Sequence, residues 1–275
     1  MNKASIKVHG NGPLATAVKQ AAHSPACTTF LANQPTEGLF SAFILSAHDL
    51  IASNLYVKEH AKKSIVCSNG LWLNIFPHKV FPELASINTT AYFVYDEYGA
   101  PSMASPGVVL VSAPDDRAIL LTHIGESIGL PVVNVPLINQ VFLKLFVNIP
   151  NVFSTYFENL RNIDFQEIER SLVLELRQLA IFLGIEITDI HPFPITTLCH
   201  YAEDKSRSID FMQLLSTWRG ERKPASIRAK RNENSFANMY SIFGYTFEFS
   251  VEIGLELNAF RFVYQLLISE SIHAQ

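Results

Sequence analysis

A glycine pair behind the first short apolar run, and one lysine inside a long apolar segment, are the residues of this sequence best placed to do chemistry. The run containing Ile6 and Val8 ends in His9-Gly10-Asn11-Gly12-Pro13-Leu14-Ala15, a strand followed by G-x-G-x-x-A. In that order the first glycine permits a tight strand-to-helix turn. The second lets a pyrophosphate approach the backbone, and the small third residue lets helix and strand pack closely. Two glycines also suit a βα turn that holds no ligand. The position, after one strand and at the head of a helix expected from Pro13 to about Ala22 with proline in its first turn, favours the dinucleotide reading. Lys144 stands in Val141-Phe142-Leu143-Lys144-Leu145-Phe146-Val147, where an unpaired charge facing a core is costly. Either its ammonium reaches solvent on its aliphatic stem, or it faces a polar site. There it could stabilise the charge growing on a ketone oxygen during hydride delivery and donate the proton. Asn148, one helical turn later, projects from the same face.

Composition narrows the possibilities. With 275 residues and 48% hydrophobic content the chain can bury a sizeable core, as one large or two medium domains. A net charge of -4 without a basic stripe argues against nucleic acid as a partner. Cys27, Cys67 and Cys199 lack any C-x-x-C spacing and fit reduced, buried thiols, which implies a cytoplasmic protein. No uninterrupted apolar stretch is long enough to span a membrane. The nine histidines show no metal-ligand spacing, so no metal is expected.

The texture changes once, near residues 130 to 140. Before it, short apolar runs bounded by Gly, Pro, Asn or Asp predict strands at Ser5-Val8, Thr28-Leu31, Ala42-Leu45, Ser64-Cys67, Thr90-Tyr95, Val108-Val111 and Pro131-Val133. Helix-length segments, Asp49-Ala61 and Asp115-Ile128, lie between some of them. This alternation implies a mainly parallel sheet with right-handed crossovers. After residue 137, helical periodicity predicts Leu137 to Leu160, Asp164 to Leu183, Ser208 to Trp218 and Asn234 to Ser269 as helices, with Gly184 as a C-cap. The fold class is therefore an α/β Rossmann-like N-terminal domain, residues 1–136, followed by an all-α domain, residues 137–275.

That plan is the architecture of 6-phosphogluconate-dehydrogenase-like oxidoreductases, and several residues resemble one family within it, the ketopantoate reductases (2-dehydropantoate 2-reductases). Ser68-Asn69-Gly70 resembles the family's N-G step, and Phe142-Leu143-Lys144-Leu145-Phe146-Val147-Asn148 its W-x-K-L-x-x-N helix. Ser226, Asn238, Gly244 and Gly254 are spaced like its Ser…Glu-x-x-x-x-N-G…G-I pattern. The resemblance implies Lys144 as the general acid. Gly10, Asn11, Gly12, Pro13, Leu14, Ala15, Asn33, His48 and Asn69 would bind the cofactor, and Asn148, Ser226 and Asn238 the substrate. Read from residue type alone, Asn69 also suits an ordinary Asn-Gly turn, Ser226 and His48 helix starts.

The chain departs from the family at Asn238, which replaces a glutamate, at Phe243, which replaces the asparagine of N-G, and at Phe142, which replaces a tryptophan. Behind the second expected strand, Leu31-Ala32-Asn33-Gln34 offers neither a basic residue for a 2′-phosphate nor an acid for ribose hydroxyls. NADP is the cofactor implied, with NAD possible. The resemblance implies NAD(P)H-dependent reduction of a small 2-oxo acid in an interdomain cleft, most simply ketopantoate to pantoate for pantothenate biosynthesis, by a protein able to dimerise through its helical domain. The departures keep open a non-catalytic nucleotide-binding or interaction relative, and a reductase for a different 2-oxo acid.

Overall fold

The computed structural model describes residues 5–33, 39–44, 54–67, 83–105, 107–155, 164–219 and 239–273. The chain divides into two compact units, one reaching Gln140 and the other continuing from Val141.

In the first unit, β1 (Ser5–His9) leads through the glycine turn to α1 (Pro13–Ala22), as the sequence predicts. The next element differs. Thr28–Leu31 lies not in a strand but in α2 (Pro25–Ala32). β-branched Thr28 and Thr29 beside Phe30 favour a strand. Local capping overrides them: Pro25 opens the helix and the Ser24 hydroxyl accepts from the Cys27 N–H at 3.4 Å. Strands β2 (Leu39–Ile44), β3 (Ser64–Cys67), β4 (Ala85–Thr89), β7 (Val109–Ser112) and β8 (Val132–Asn134) complete a six-stranded sheet in the order β1-β2-β3-β4-β7-β8. All pairs are parallel except β4 with β7. Strands β5 (Tyr92–Tyr95) and β6 (Pro101–Ser105) form a separate antiparallel hairpin. The expected 90–95 strand is therefore outside the main sheet.

Helices α1, α2 and α4 (Arg117–Ile128) share one apolar core with the sheet, through Ala15, Val18, Cys27, Leu31, Leu120 and Ile124. Full burial of a Val- or Leu-sized side chain is worth about 1.5–3 kcal/mol. Short α3 (Asn54–Glu59) precedes β3. Arg117, only 2% exposed, ties the connections together. Its guanidinium donates to the carbonyls of Ala61, Ser64 and Glu83 and to both carboxylate oxygens of Asp115.

The second unit is helical: α5 (Leu137–Thr155), whose first turn belongs to the first unit, then α6 (Phe165–Phe182), α7 (Ile195–Glu203), α8 (Ser208–Arg219), α9 (Tyr245–Glu252) and α10 (Asn258–His273). Gly184, at φ 65°, follows the end of α6 as expected of a cap. The helix expected over Asn234 to Ser269 is divided within its described part. A π-helical turn occupies Tyr240–Gly244, and the chain breaks at Gly254, at φ 72°, between α9 and α10. Glu175 of α6 then caps α10, accepting from the N–H groups of Ala259 and Phe260. Buried Arg170 donates to the carbonyls of Tyr201 and Ala202 and to the Ser208 hydroxyl, and its guanidinium lies over Phe211. The three cysteines are free and buried. Among the described residues no helix is long and apolar enough to cross a membrane.

Candidate functional site

At the carboxyl end of β1 the backbone turns sharply. Gly10 adopts φ 124°, which L side chains rarely take, and a Cβ there would collide with the carbonyl oxygen of Ile44 at the end of β2. Ala15, 1% exposed, lies beneath the turn, its Cβ 3.1 Å from that same hypothetical atom. A larger third residue would push α1 off the sheet.

Gly12 behaves differently. It is the N-cap of α1, at φ -74° and ψ 168°, and nothing lies within 4 Å of a Cβ built on it. No side chain caps α1 and its first turn holds no acid. Pro13 has no N–H, the Thr16 N–H reaches the Gly12 carbonyl at 3.0 Å, and the Leu14 and Ala15 donors are first-turn groups without intrahelical partners. Leu14 packs half-buried against the core. The open face of Gly12 therefore fronts a helix N-terminus, where a phosphate finds amide donors and the positive end of the dipole.

Lys19, which no sequence motif marks, adds charge to this turn. Its ammonium folds back from the last turn of α1 and donates to the Gly10 carbonyl at 2.7 Å. A lysine near a helix C-terminus reads from sequence as a partner of the dipole, so only the fold shows its reach. Burial, followed by the charges of Lys7 and Lys19, holds the His9 imidazole below its ordinary value. Uncharged near neutral pH, that ring stacks on Phe43 of β2 with centroids 4.7 Å apart.

Asn33 lies elsewhere than expected. It caps the end of α2, its N–H directed to the carbonyls of Thr29 and Phe30, and so follows a helix instead of a strand. His48, Asn69, Ser226 and Asn238 lie outside the described residues.

On α5 the polar side chains of Gln140, Lys144 and Asn148 recur every fourth residue and share one face. Lys144 is half-buried, between fully buried Leu143 and Leu145. Asn148, 9% exposed, donates from its amide to the Lys144 carbonyl at 2.7 Å. Gln140 belongs to no motif legible in the sequence. Its amide oxygen accepts from Ser86 at 2.9 Å and its amide nitrogen donates to the Val135 carbonyl at 2.9 Å, so it anchors the start of α5 to β4. Among the described residues no group of three or more His, Cys, Asp or Glu side chains could hold a metal ion.

No protein-family model matches the sequence. No curated protein matches it either. Solved structures do match over nearly the whole length. A PanE/ApbA family ketopantoate reductase from Ralstonia eutropha JMP134 aligns with TM-score 0.62 and 15% identity, covering 99% of each chain. A D-mandelate dehydrogenase in complex with NADH gives TM-score 0.63 at 12% identity, over 99% of this chain and 100% of that one. A 2-dehydropantoate 2-reductase from Methylococcus capsulatus gives 0.62 at 12%, over 100% and 98%. The chain thus has the fold of ketopantoate reductases, a Rossmann-like unit followed by a helical one, which the D-mandelate dehydrogenase shares.

Proposed function

We propose that this chain, built on the ketopantoate-reductase fold, is a nicotinamide-dependent oxidoreductase that reduces a small 2-oxo acid, with ketopantoate the first substrate to test. The observation that carries the reading is the glycine turn. A residue forced to be glycine by the Ile44 carbonyl is followed by one whose side-chain space is open, at a helix start with no capping side chain and with the Lys19 ammonium alongside.

The turn would hold the cofactor's phosphates through the N–H groups of Leu14 and Ala15, with Asn11 and Pro13 setting the path of the backbone. When bound, reduced nicotinamide supplies the hydride for the ketone carbon. Lys144 has the chemistry of the general acid. Its ammonium stabilises the charge developing on the ketone oxygen and gives that oxygen its proton. Its place in an apolar helix favours this, because low dielectric strengthens the interaction and disfavours any arrangement without an anionic or carbonyl partner. Asn148 would hydrogen-bond the substrate from the same face. Ser226 and Asn238 are its other proposed contacts, and His48 and Asn69 further cofactor contacts. NADP use, a cytoplasmic location, a homodimer formed through the helical unit and a place in pantothenate biosynthesis belong to the same proposal.

The test is turnover: purified protein, NADPH or NADH, and ketopantoate, with other small 2-oxo acids in parallel. A second reading, a nucleotide-binding relative without catalysis, is favoured by one observation, the neutral Asn238 where the family has a glutamate. Stoichiometric cofactor binding with no turnover of any 2-oxo acid would select it.

A further inference from the structure

In the helical unit, the end of α6 closes on itself before the chain reaches α7. Gly184, in the left-handed region, donates its N–H to the Ile181 carbonyl at 3.0 Å, and the Ile185 N–H returns to the Ala180 carbonyl at 2.8 Å. Asp189 then accepts from the N–H and the hydroxyl of Thr196, each at 2.7 Å, and fixes the first turn of α7. A cavity of about 410 Å³, of the size that takes a small molecule, is bounded by both helices and the segment joining them.

Its lining has two characters. Ile181, Ile185 and Ile187 form a branched aliphatic wall, and Ile181 is 66% exposed, so much of that wall faces water. Arg177 stands one helical turn before Ile181 on the same face of α6, and its Nη1 pairs with the carboxylate of Glu203 at the end of α7. Both partners are partly exposed, so the pair stabilises the fold little. What it does is hold opposite charges beside an apolar wall. Glu186 brings a second carboxylate to the lining. Cys199 also lines the cavity; burial pushes its thiol up to about 11, so near neutral pH it adds no charge.

We infer that this cavity binds a free aliphatic α-amino acid of the leucine, isoleucine or valine type. A planar guanidinium carries five N–H donors in a fork, so with Nη1 on Glu203 the remaining donors of Arg177 can take the ligand's carboxylate. The ligand's ammonium then lies against the carboxylates of Glu203 and Glu186, and its side chain covers the isoleucine wall. Simpler ligands fit less well. An apolar anion would bring its charge beside two carboxylates with no cation of its own, an apolar amine would bring like charge to Arg177, and a small polar zwitterion would leave the isoleucines in water. The cavity needs no part of the glycine turn, so the inference stands apart from the oxidoreductase reading.

Calorimetric titration of the full chain with L-leucine tests this, beside three analogues that each lack one group: isoamylamine without the carboxylate, isocaproate without the ammonium, and glycine without the side chain. Each analogue should bind about tenfold or more weakly than leucine, the scale of one charge-assisted contact or one buried aliphatic side chain. Ile181→Gln, at an exposed position, and Arg177→Gln, in a partly exposed pair, should each weaken leucine by a similar factor and leave the unliganded melting temperature near wild type. Leucine binding undiminished in either variant, or an analogue as tight as leucine, overturns the assignment. So does the absence of any heat from leucine at millimolar concentration. A dimer broken by Ile181→Gln, with no leucine bound, would give the isoleucine wall to a second copy of the chain instead.

Discussion

The carbonyl oxygen of Ile44 occupies the space in which any side chain on Gly10 would begin. Gly12, two positions on, has nothing within 4 Å of the Cβ it lacks, so the fold requires glycine at the first position of the pair and not at the second.

Substitution separates them. Gly10→Ala combines a backbone clash with an unfavourable positive φ and should cost about 2–4 kcal/mol of stability. Gly12→Val places a β-branched residue in an extended conformation that it tolerates, with open space around it. Its unliganded melting temperature should stay near wild type while stabilisation by NADH disappears. Equal cofactor-induced stabilisation of Gly12→Val and wild type would remove the phosphate site from this turn.

Lys19→Met should weaken binding of NADH and NADPH to a similar extent, because the charge lost stands beside the glycine turn proposed to hold the phosphates common to both. A loss of about threefold to tenfold is expected, of the order of a partly exposed charge-assisted contact. Titrations at two salt concentrations check it, since the wild-type salt dependence should exceed that of the variant.

The Arg117–Asp115 pair sets a pH dependence. Burial raises the Asp115 carboxyl, but the side-chain and backbone hydrogen bonds from Arg117 and its charge outweigh this and hold it below the ordinary carboxylate value. A depressed acid contributes its stability in full above the unfolded value and loses it as pH falls through the folded one. Urea midpoints should therefore decline below about pH 4, and less steeply for Asp115→Asn. Arg117→Ala, which strands three carbonyls and a carboxylate, should cost about 3–5 kcal/mol at neutral pH.

The strand, turn and first helix could be read from the sequence because each signal there is local: apolar alternation, glycine, then proline at N1. Lys144 and Asn148 could be placed on one helix face for the same reason. Other features depend on contacts distant in sequence. β4 is fully buried yet reads Ala85-Ser86-Ile87-Asn88-Thr89, its polar side chains satisfied by Gln140, Val108 and the local backbone. Hydropathy therefore gives no sign of a core strand. Thr28–Leu31 shows the reverse, a strand-like composition turned to helix by the Ser24 and Pro25 start signal. Lys19 reaches Gly10 only because two helical turns fold it back, and the break at Gly254 needs a positive φ that periodicity alone does not reveal.

The most direct test of the proposed chemistry is the rate of ketopantoate-dependent oxidation of NADPH or NADH by wild type and by Lys144→Ala, measured beside cofactor binding of both. Loss of a charge-stabilising proton donor should raise the barrier by about 3–4 kcal/mol, a hundred- to thousandfold fall in kcat, with the cofactor Kd nearly unchanged. Wild-type turnover of ketopantoate or another small 2-oxo acid, lost in Lys144→Ala with binding intact, is the predicted result. Turnover at the wild-type rate in Lys144→Ala, or cofactor binding with no 2-oxo acid reduced by the wild type, would contradict it.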